Sequence, residues 1–245
     1  MNLILFQSHE LNVNGEASLA DARATHLLDV LKVTPGHQVR VGVVNGGVGT
    51  ATVTAVDGRT VGLRCEMDGD VPRRPPVDLL LALPRPKVMR RLWAQLAALG
   101  VGQIILTNAS RVERPYFDTH VLSSACYEPL LIEGLQQARD TRVPEVSIHR
   151  QFRILVEDTL DTLFGSGLRV VAHPAEGGLL STLVQEHRGE RVLLAIGPEG
   201  GWNSFELELL QAHGFRAAGM GPRTLRSDTA CIALLALVHE AMRAG

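Results

Sequence analysis

Residues 71–76 read Val71-Pro72-Arg73-Arg74-Pro75-Pro76. Proline fixes φ near −65° and donates no amide hydrogen, so a run this dense excludes both a helix interior and a central strand. The segment, led in by Asp68-Gly69-Asp70, reads as a linker. It constrains the 245-residue chain to fold in two parts, 1–70 and 77–245.

The two parts differ in periodicity. Residues 38–44, 50–56 and 60–66 are rich in Val and Thr and are separated by Asn45-Gly46-Gly47 and Asp57-Gly58, which are hairpin turns. One helix is expected over 20–31, with Leu27, Leu28 and Leu31 on one face. A small β-barrel with one helix follows. Beyond the linker, apolar strands are expected at 77–83, 103–107, 168–172, 191–196 and 215–220. Helical patterns lie at 87–99 and 228–242. Asn203 with Glu206 forms a capping box that opens a further helix, which Gly214 closes. This alternation predicts an α/β domain with a parallel sheet covered on both faces.

Cys65, Cys126 and Cys231 are scattered and form no CxxC pair, which points to a reducing cytoplasm and no metal site. The first ten residues lack a basic start, and the longest apolar run, 231–238, is far short of the ~20 residues of a membrane span. No membrane association is expected.

Three glycine-rich loops could hold a ligand. Gly46-Gly47-Val48-Gly49 leads into Thr50-Ala51-Thr52-Val53-Thr54, another strand, so it is a hairpin and not a dinucleotide turn. Ile196-Gly197-Pro198-Glu199-Gly200-Gly201-Trp202 and Met220-Gly221-Pro222-Arg223-Thr224-Leu225-Arg226-Ser227-Asp228-Thr229 each follow a buried strand and precede a helix. Glycines at the carboxyl ends of parallel strands let backbone groups approach a ligand closely. Helix N-termini offer amides to anionic groups such as a carboxylate.

These two loops resemble the signature loops of SPOUT methyltransferases, and more closely those of the RsmE family, the 16S ribosomal RNA uridine-N3 methyltransferases. His26-Leu27-Leu28-Asp29-Val30-Leu31-Lys32 with Pro35-Gly36, Leu99-Gly100-Val101, Arg142-Val143-Pro144-Glu145 and His173-Pro174 are similar to further family segments. The resemblance implies a PUA-like first domain and a second domain tied in a deep trefoil knot. It also implies S-adenosylmethionine as methyl donor, 16S rRNA in the small ribosomal subunit as substrate, and a homodimer. By position it places cofactor contacts at Ala172, His173, Ile196, Gly197, Glu199, Gly200, Met220, Gly221, Thr224 and Leu225. The chain departs from the family pattern in lacking an N-terminal Arg and in carrying Lys32 where Arg is commoner. Gln137-Ala138-Arg139-Asp140 stands for Gln-Ser-Gly-Arg, and Ser227-Asp228 for Thr-Glu.

Methyl transfer to uridine N3 needs a base for the N3 proton. Asp228 and Arg226 are the candidates for the reaction centre. Asp228 is also placed as an ordinary helix-start acid, and Glu199 as a structural one. Arg223 and Arg226 could instead hold phosphate or a uracil anion. The net charge of −2 and the 4% aromatic content exclude a generic basic RNA coat. Basic residues are nonetheless clustered locally, and with His26 and Lys32 of the family segment they give the RNA-contact candidates Arg85, Lys87, Arg139, Arg142 and Arg223. Two alternatives remain: a SPOUT enzyme acting on a ribose 2′-oxygen or another base, and a non-catalytic RNA-binding assembly factor.

Overall fold

The computed structural model describes residues 2–67, 69–174 and 178–243. Met1, and Asp68 in the lead-in to the linker, lie outside the described residues, as do 175–177 and 244–245. The chain divides into two compact units, Met1–Arg74 with Leu131–Val143, and Pro75–Leu130 with Pro144–Gly245.

The first unit holds β1 (Ile4–Phe6), β2 (Glu16–Leu19), α1 (Ala22–Thr25), β3 (Gln38–Val43), β4 (Val48–Asp57) and β5 (Thr60–Glu66). The strands form one sheet in the order β1-β3-β4-β5-β2, antiparallel except for β1 beside β3. Among the described residues β1 and β2 remain edges, so the sheet is open where a closed barrel was expected. The glycine-rich segment after β3 is a hairpin turn, with Asn45 at φ 57°. Alternate residues Ala51, Val53, Val61, Leu63 and Cys65 pack with Phe6 and Leu27 into the core. The helix expected over 20–31 is corrected in one respect. After Thr25 it widens into a π turn, His26–Val30, closed by the Leu31 amide on the His26 carbonyl at 3.1 Å. The wider turn breaks the 3.6-residue phase. Leu27 is fully buried, Leu28 partly, and Leu31 is 48% exposed.

The second unit contains β6 (Val77–Ala82), α2 (Pro86–Ala98), β7 (Gln103–Thr107) and the start of α3 (Ser124–Ala138). There follow β8 (Glu145–His149), α4 (Phe152–Ile154), α5 (Leu160–Phe164), β9 (Leu168–Ala172), β10 (Gly178–Leu179) and α6 (Leu180–Glu186). The chain ends with β11 (Val192–Ile196), α7 (Ser204–Ala212), β12 (Arg216–Gly219) and α8 (Ser227–Arg243). Seven parallel strands run in the order β10-β12-β9-β11-β6-β7-β8. Every residue of β6, β7 and β11 is buried, as expected of strands covered on both faces. The one acid among them, Asp78, is paired with Arg191 at 2.6 Å.

The sequence reading kept 77–245 together, whereas Leu131–Val143 groups with the first unit. Local hydrogen bonding explains this. Helix α3 stops at Arg139, which adopts φ 61°, while the Asp140 amide donates to the Leu135 carbonyl at 3.1 Å. Asp140 Oδ1 then accepts the amides of Thr141 and Arg142 at 2.6 and 2.9 Å. This turn presents Thr141 to the β3–β4 hairpin. Its hydroxyl donates to the Gly46 carbonyl at 2.6 Å, and its carbonyl accepts the Asn45 amide at 2.7 Å.

Candidate active site

Strands β12, β9 and β11 are neighbours, so the segments leaving their carboxyl ends converge although they lie far apart in sequence. With the start of α8 they enclose a cavity of about 320 Å³, a size common among small-molecule sites. Its walls are Ala172, His173 and Pro174 at the end of β9, residues 196–202 at the end of β11, and Gly219, Met220, Gly221, Arg223, Thr224 and Leu225 at the end of β12. Ser227, Ala230 and Leu234 of α8 complete them. All ten residues that the resemblance places at a cofactor therefore face one space: Ala172, His173, Ile196, Gly197, Glu199, Gly200, Met220, Gly221, Thr224 and Leu225.

Close backbone approach sets this geometry. A Cβ on Gly219 would stand 2.5 Å from the His173 carbonyl oxygen, and one on Gly197 would stand 3.1 Å from the Trp202 ring. Trp202 is buried and stacks on Phe152 with ring centroids 5.3 Å apart. The first loop turns at Gly201, φ 75°, where its amide donates to the Pro198 carbonyl at 2.8 Å. It then enters α7 through the expected capping box: Asn203 Oδ1 accepts the Glu206 amide and Glu206 Oε2 accepts the Asn203 amide, each at 2.8 Å. Glu206 Oε1 also accepts the Ser110 amide at 2.6 Å, which ties the segment leaving β7 to the start of α7. The next residue, Arg111, lines the cavity and donates to the Gly200 carbonyl.

The candidate carboxylates are already engaged. Glu199 lies 3.4 Å from Arg85, and Asp228 Oδ2 accepts from Arg91 at 3.0 Å. Asp228 Oδ1 accepts the Thr229 amide at 2.9 Å, in the first turn of α8. Neither Arg226 nor Asp228 is among the lining residues; Ser227, between them, is. Two buried polar atoms on the cavity wall have no partner among the described residues, Ser227 Oγ and Trp202 Nε1. Burial without a hydrogen bond costs on the order of 1–3 kcal/mol per group, so both suit a polar ligand.

The RNA-contact candidates fall in both units. In the first, His26 opens the π turn with Nε2 buried and unpartnered, Lys32 is exposed at φ 51°, and Arg139 and Arg142 follow α3. In the second, Arg85 precedes α2, Lys87 is exposed on it, and Arg223 lines the cavity. The stretch 84–91 holds cations and no local acid, yet Arg85 and Arg91 draw their partners, Glu199 and Asp228, from the two glycine loops. Sequence reasoning missed Arg111, Gly219 and the Ser227 hydroxyl. Arg111 is a lone cation with no spacing signal. Gly219 becomes legible only once β12 is known to lie beside β9.

The class of protein is that of an RNA methyltransferase: the family profile described as "RNA methyltransferase domain" matches residues 72–239. A curated relative from Treponema pallidum, ribosomal RNA small subunit methyltransferase E, is 32% identical over 241 residues, 97% of this chain and 90% of that one. A Borreliella burgdorferi relative, ribosomal RNA small subunit methyltransferase E 1, is 24% identical over 233 residues, 95% of each. The chain belongs to the ribosomal RNA small subunit methyltransferase E family. Its fold is shared by a solved Neisseria gonorrhoeae ribosomal RNA small subunit methyltransferase E bound to S-adenosyl methionine. That structure has a TM-score of 0.76 at 21% identity, over 98% of this chain and 97% of that one. A Legionella pneumophila putative methyltransferase with bound SAM gives 0.74 at 24%, over 98% and 97%.

Proposed function

We propose that the chain methylates N3 of a uridine in 16S rRNA, using S-adenosylmethionine. The observation that carries this reading is the three-loop cavity, whose glycines bring backbone groups close and whose two unpartnered polar atoms await a polar ligand. Membership in a family named for small-subunit rRNA methylation supports the substrate, and the S-adenosylmethionine in the Neisseria and Legionella proteins supports the donor.

When bound, S-adenosylmethionine supplies a methyl group activated on a sulfonium. The backbone around Gly197, Gly200 and Gly219, with the Ser227 hydroxyl and the Trp202 indole, would hold it. Arg111 fixes the Gly200 carbonyl and so the shape of the first loop. Uridine N3 must lose its proton; Glu199 lines the wall, and Asp228 adjoins the wall residue Ser227 and is the carboxylate assigned to that proton. Arg91 holds Oδ2 and the Thr229 amide holds Oδ1, which orients the Asp228 carboxylate, and the Arg91 guanidinium beside it is suited to an anion. Arg226, exposed and without an ion pair among the described residues, is suited to a phosphate or the uracil anion.

The same reading extends to the trefoil knot and the PUA-like first unit, to a homodimer, and to action on the small subunit in the cytoplasm. The crossed order β12-β9-β11-β6 supports the knot. No helix among the described residues is long and apolar enough to cross a membrane.

Two measurements test the proposal. Calorimetry should find S-adenosylmethionine binding that Gly200→Arg abolishes, since even a Cβ there meets Arg111 Cδ at 2.7 Å. Nucleoside mass spectrometry of 16S rRNA from a strain lacking the gene should show loss of 3-methyluridine, restored by complementation. Loss of a ribose-methylated nucleoside instead would refute the N3 assignment, and absence of cofactor binding would refute the enzyme.

A further inference from the structure

We propose that a second cavity, separated from the first by the Trp202–Phe152 ring pair, holds an unpaired nucleobase that neighbours the target in the RNA. The proposal rests on the methyltransferase reading. This cavity measures about 360 Å³ and opens where the chain leaves β7; Asn108, Arg114, Phe152, Arg153 and Phe205 line it. Phe152 stacks on Trp202, and Trp202 lines the cofactor cavity, so one aromatic pair divides the two spaces.

Four side chains give the second space its chemistry. Phe205, in the first turn of α7, is 55% exposed. The chain has six Phe, two Trp and two Tyr, and Phe205 alone among them is classed as exposed. An aromatic face left in water beside a cavity is a stacking platform, and stacking accepts any base. Asn108 Oδ1 is buried with no hydrogen-bond partner among the described residues, an acceptor that suits an N–H on a base edge. Among the described residues Arg114 is exposed and forms no ion pair, and Arg153 is paired only with Glu157, at 2.9 Å on its own helical turn. Both are placed for a phosphate.

The reaction supplies the need for such a site. N3 lies on the pairing edge of uracil, so the target must leave both its pair and its stack to be methylated. The base beside it then loses a stacking partner, which an exposed ring replaces. A protein partner could also use an exposed Phe, but it has no call for an unpaired amide oxygen and two cations around one ring-sized space.

The test compares Phe205→Ala, Phe205→Tyr and Phe205→Leu in methylation of purified small ribosomal subunits by radiolabelled S-adenosylmethionine. Phe205→Ala should raise the KM for RNA about tenfold, with cofactor affinity by calorimetry unchanged. Phe205→Tyr should restore the KM and Phe205→Leu should not, because leucine keeps apolar area without a π face. Asn108→Ala should raise the KM in its own right. An unchanged KM in Phe205→Ala overturns this inference and leaves the methyltransferase standing. Rescue by leucine also overturns it and marks the patch as a protein-docking surface. A wild-type protein that methylates no RNA overturns both readings.

Discussion

The tightest contact at the cavity proposed for the cofactor is testable by a single methyl group. In Gly219→Ala the new Cβ would lie 2.5 Å from the His173 carbonyl oxygen, where real Cβ atoms keep 3.0 Å or more. One backbone or the other must move by at least about 0.5 Å. Neither moves freely, because the His173 amide donates to the Ala218 carbonyl at 3.0 Å and the β12–β9 ladder ends there. Overpacking of this kind costs roughly 1–3 kcal/mol. For a chain of this size that lowers Tm by about 2–12 °C. The displaced atoms line the cavity, so the same misfit should weaken S-adenosylmethionine binding by roughly 5–150-fold. Gly178→Ala is the control: Gly178 pairs with Ala218 on the other side of β12 and has no atom within 4 Å of an added Cβ. It should stay within about 0.5 kcal/mol of wild type. Calorimetric titration and thermal melts of both variants decide the matter. Wild-type affinity and Tm in Gly219→Ala would refute the argument that strand proximity shapes the site.

Further predictions concern other links. Asp228→Asn should bind cofactor within about threefold of wild type, because its ion pair is a surface one worth under ~1 kcal/mol, while single-turnover methylation slows by roughly 10²–10⁴. Wild-type turnover across the pH range would remove Asp228 as the base. Arg139→Gly should stabilise the chain by about 1 kcal/mol and raise Tm by about 2–4 °C, since φ 61° is a glycine conformation. A lower Tm would contradict the strain. Burial, with Arg243 nearby, holds the His239 imidazole below its ordinary pKa of 6.5. The neutral imidazole therefore contributes its full stability above about pH 6.5 and loses it as the pH falls through the folded pKa. His239→Gln should flatten the decline of Tm below that pH; parallel profiles would assign the acid sensitivity elsewhere.

The parallel sheet was legible because its strands are continuous apolar runs. Strand β7 is read to the residue at Gln103–Thr107, and β9 at Leu168–Ala172. The capping box of Asn203 and Glu206 was equally plain, since it is a local code. Helix α3 was hidden by Pro129 in its interior, a residue that ordinarily ends a helix. Leu31 was misplaced because a π turn leaves no sequence signature and shifts every later residue around the axis. At the site, glycines announced the loops, while the partners of the cations that hold them were not legible. Arg85, Arg91 and Arg111 act on Glu199, Asp228 and Gly200, partners that lie between 89 and 137 residues away where hydrogen bonds record the separation. Pairings at that range follow from strand order, which no local pattern contains.

The participation of α8 in the cavity wall bears on how the protein is made. Ala230 and Leu234 close the site, so its last walls are synthesised after every strand of the sheet. Domains fold as they leave the ribosome, N-terminal parts first. The five-stranded unit can therefore form its sheet early, while affinity for a small ligand appears only when the final helix has docked. Ligand binding is in this sense a report that α8 has been made and has docked.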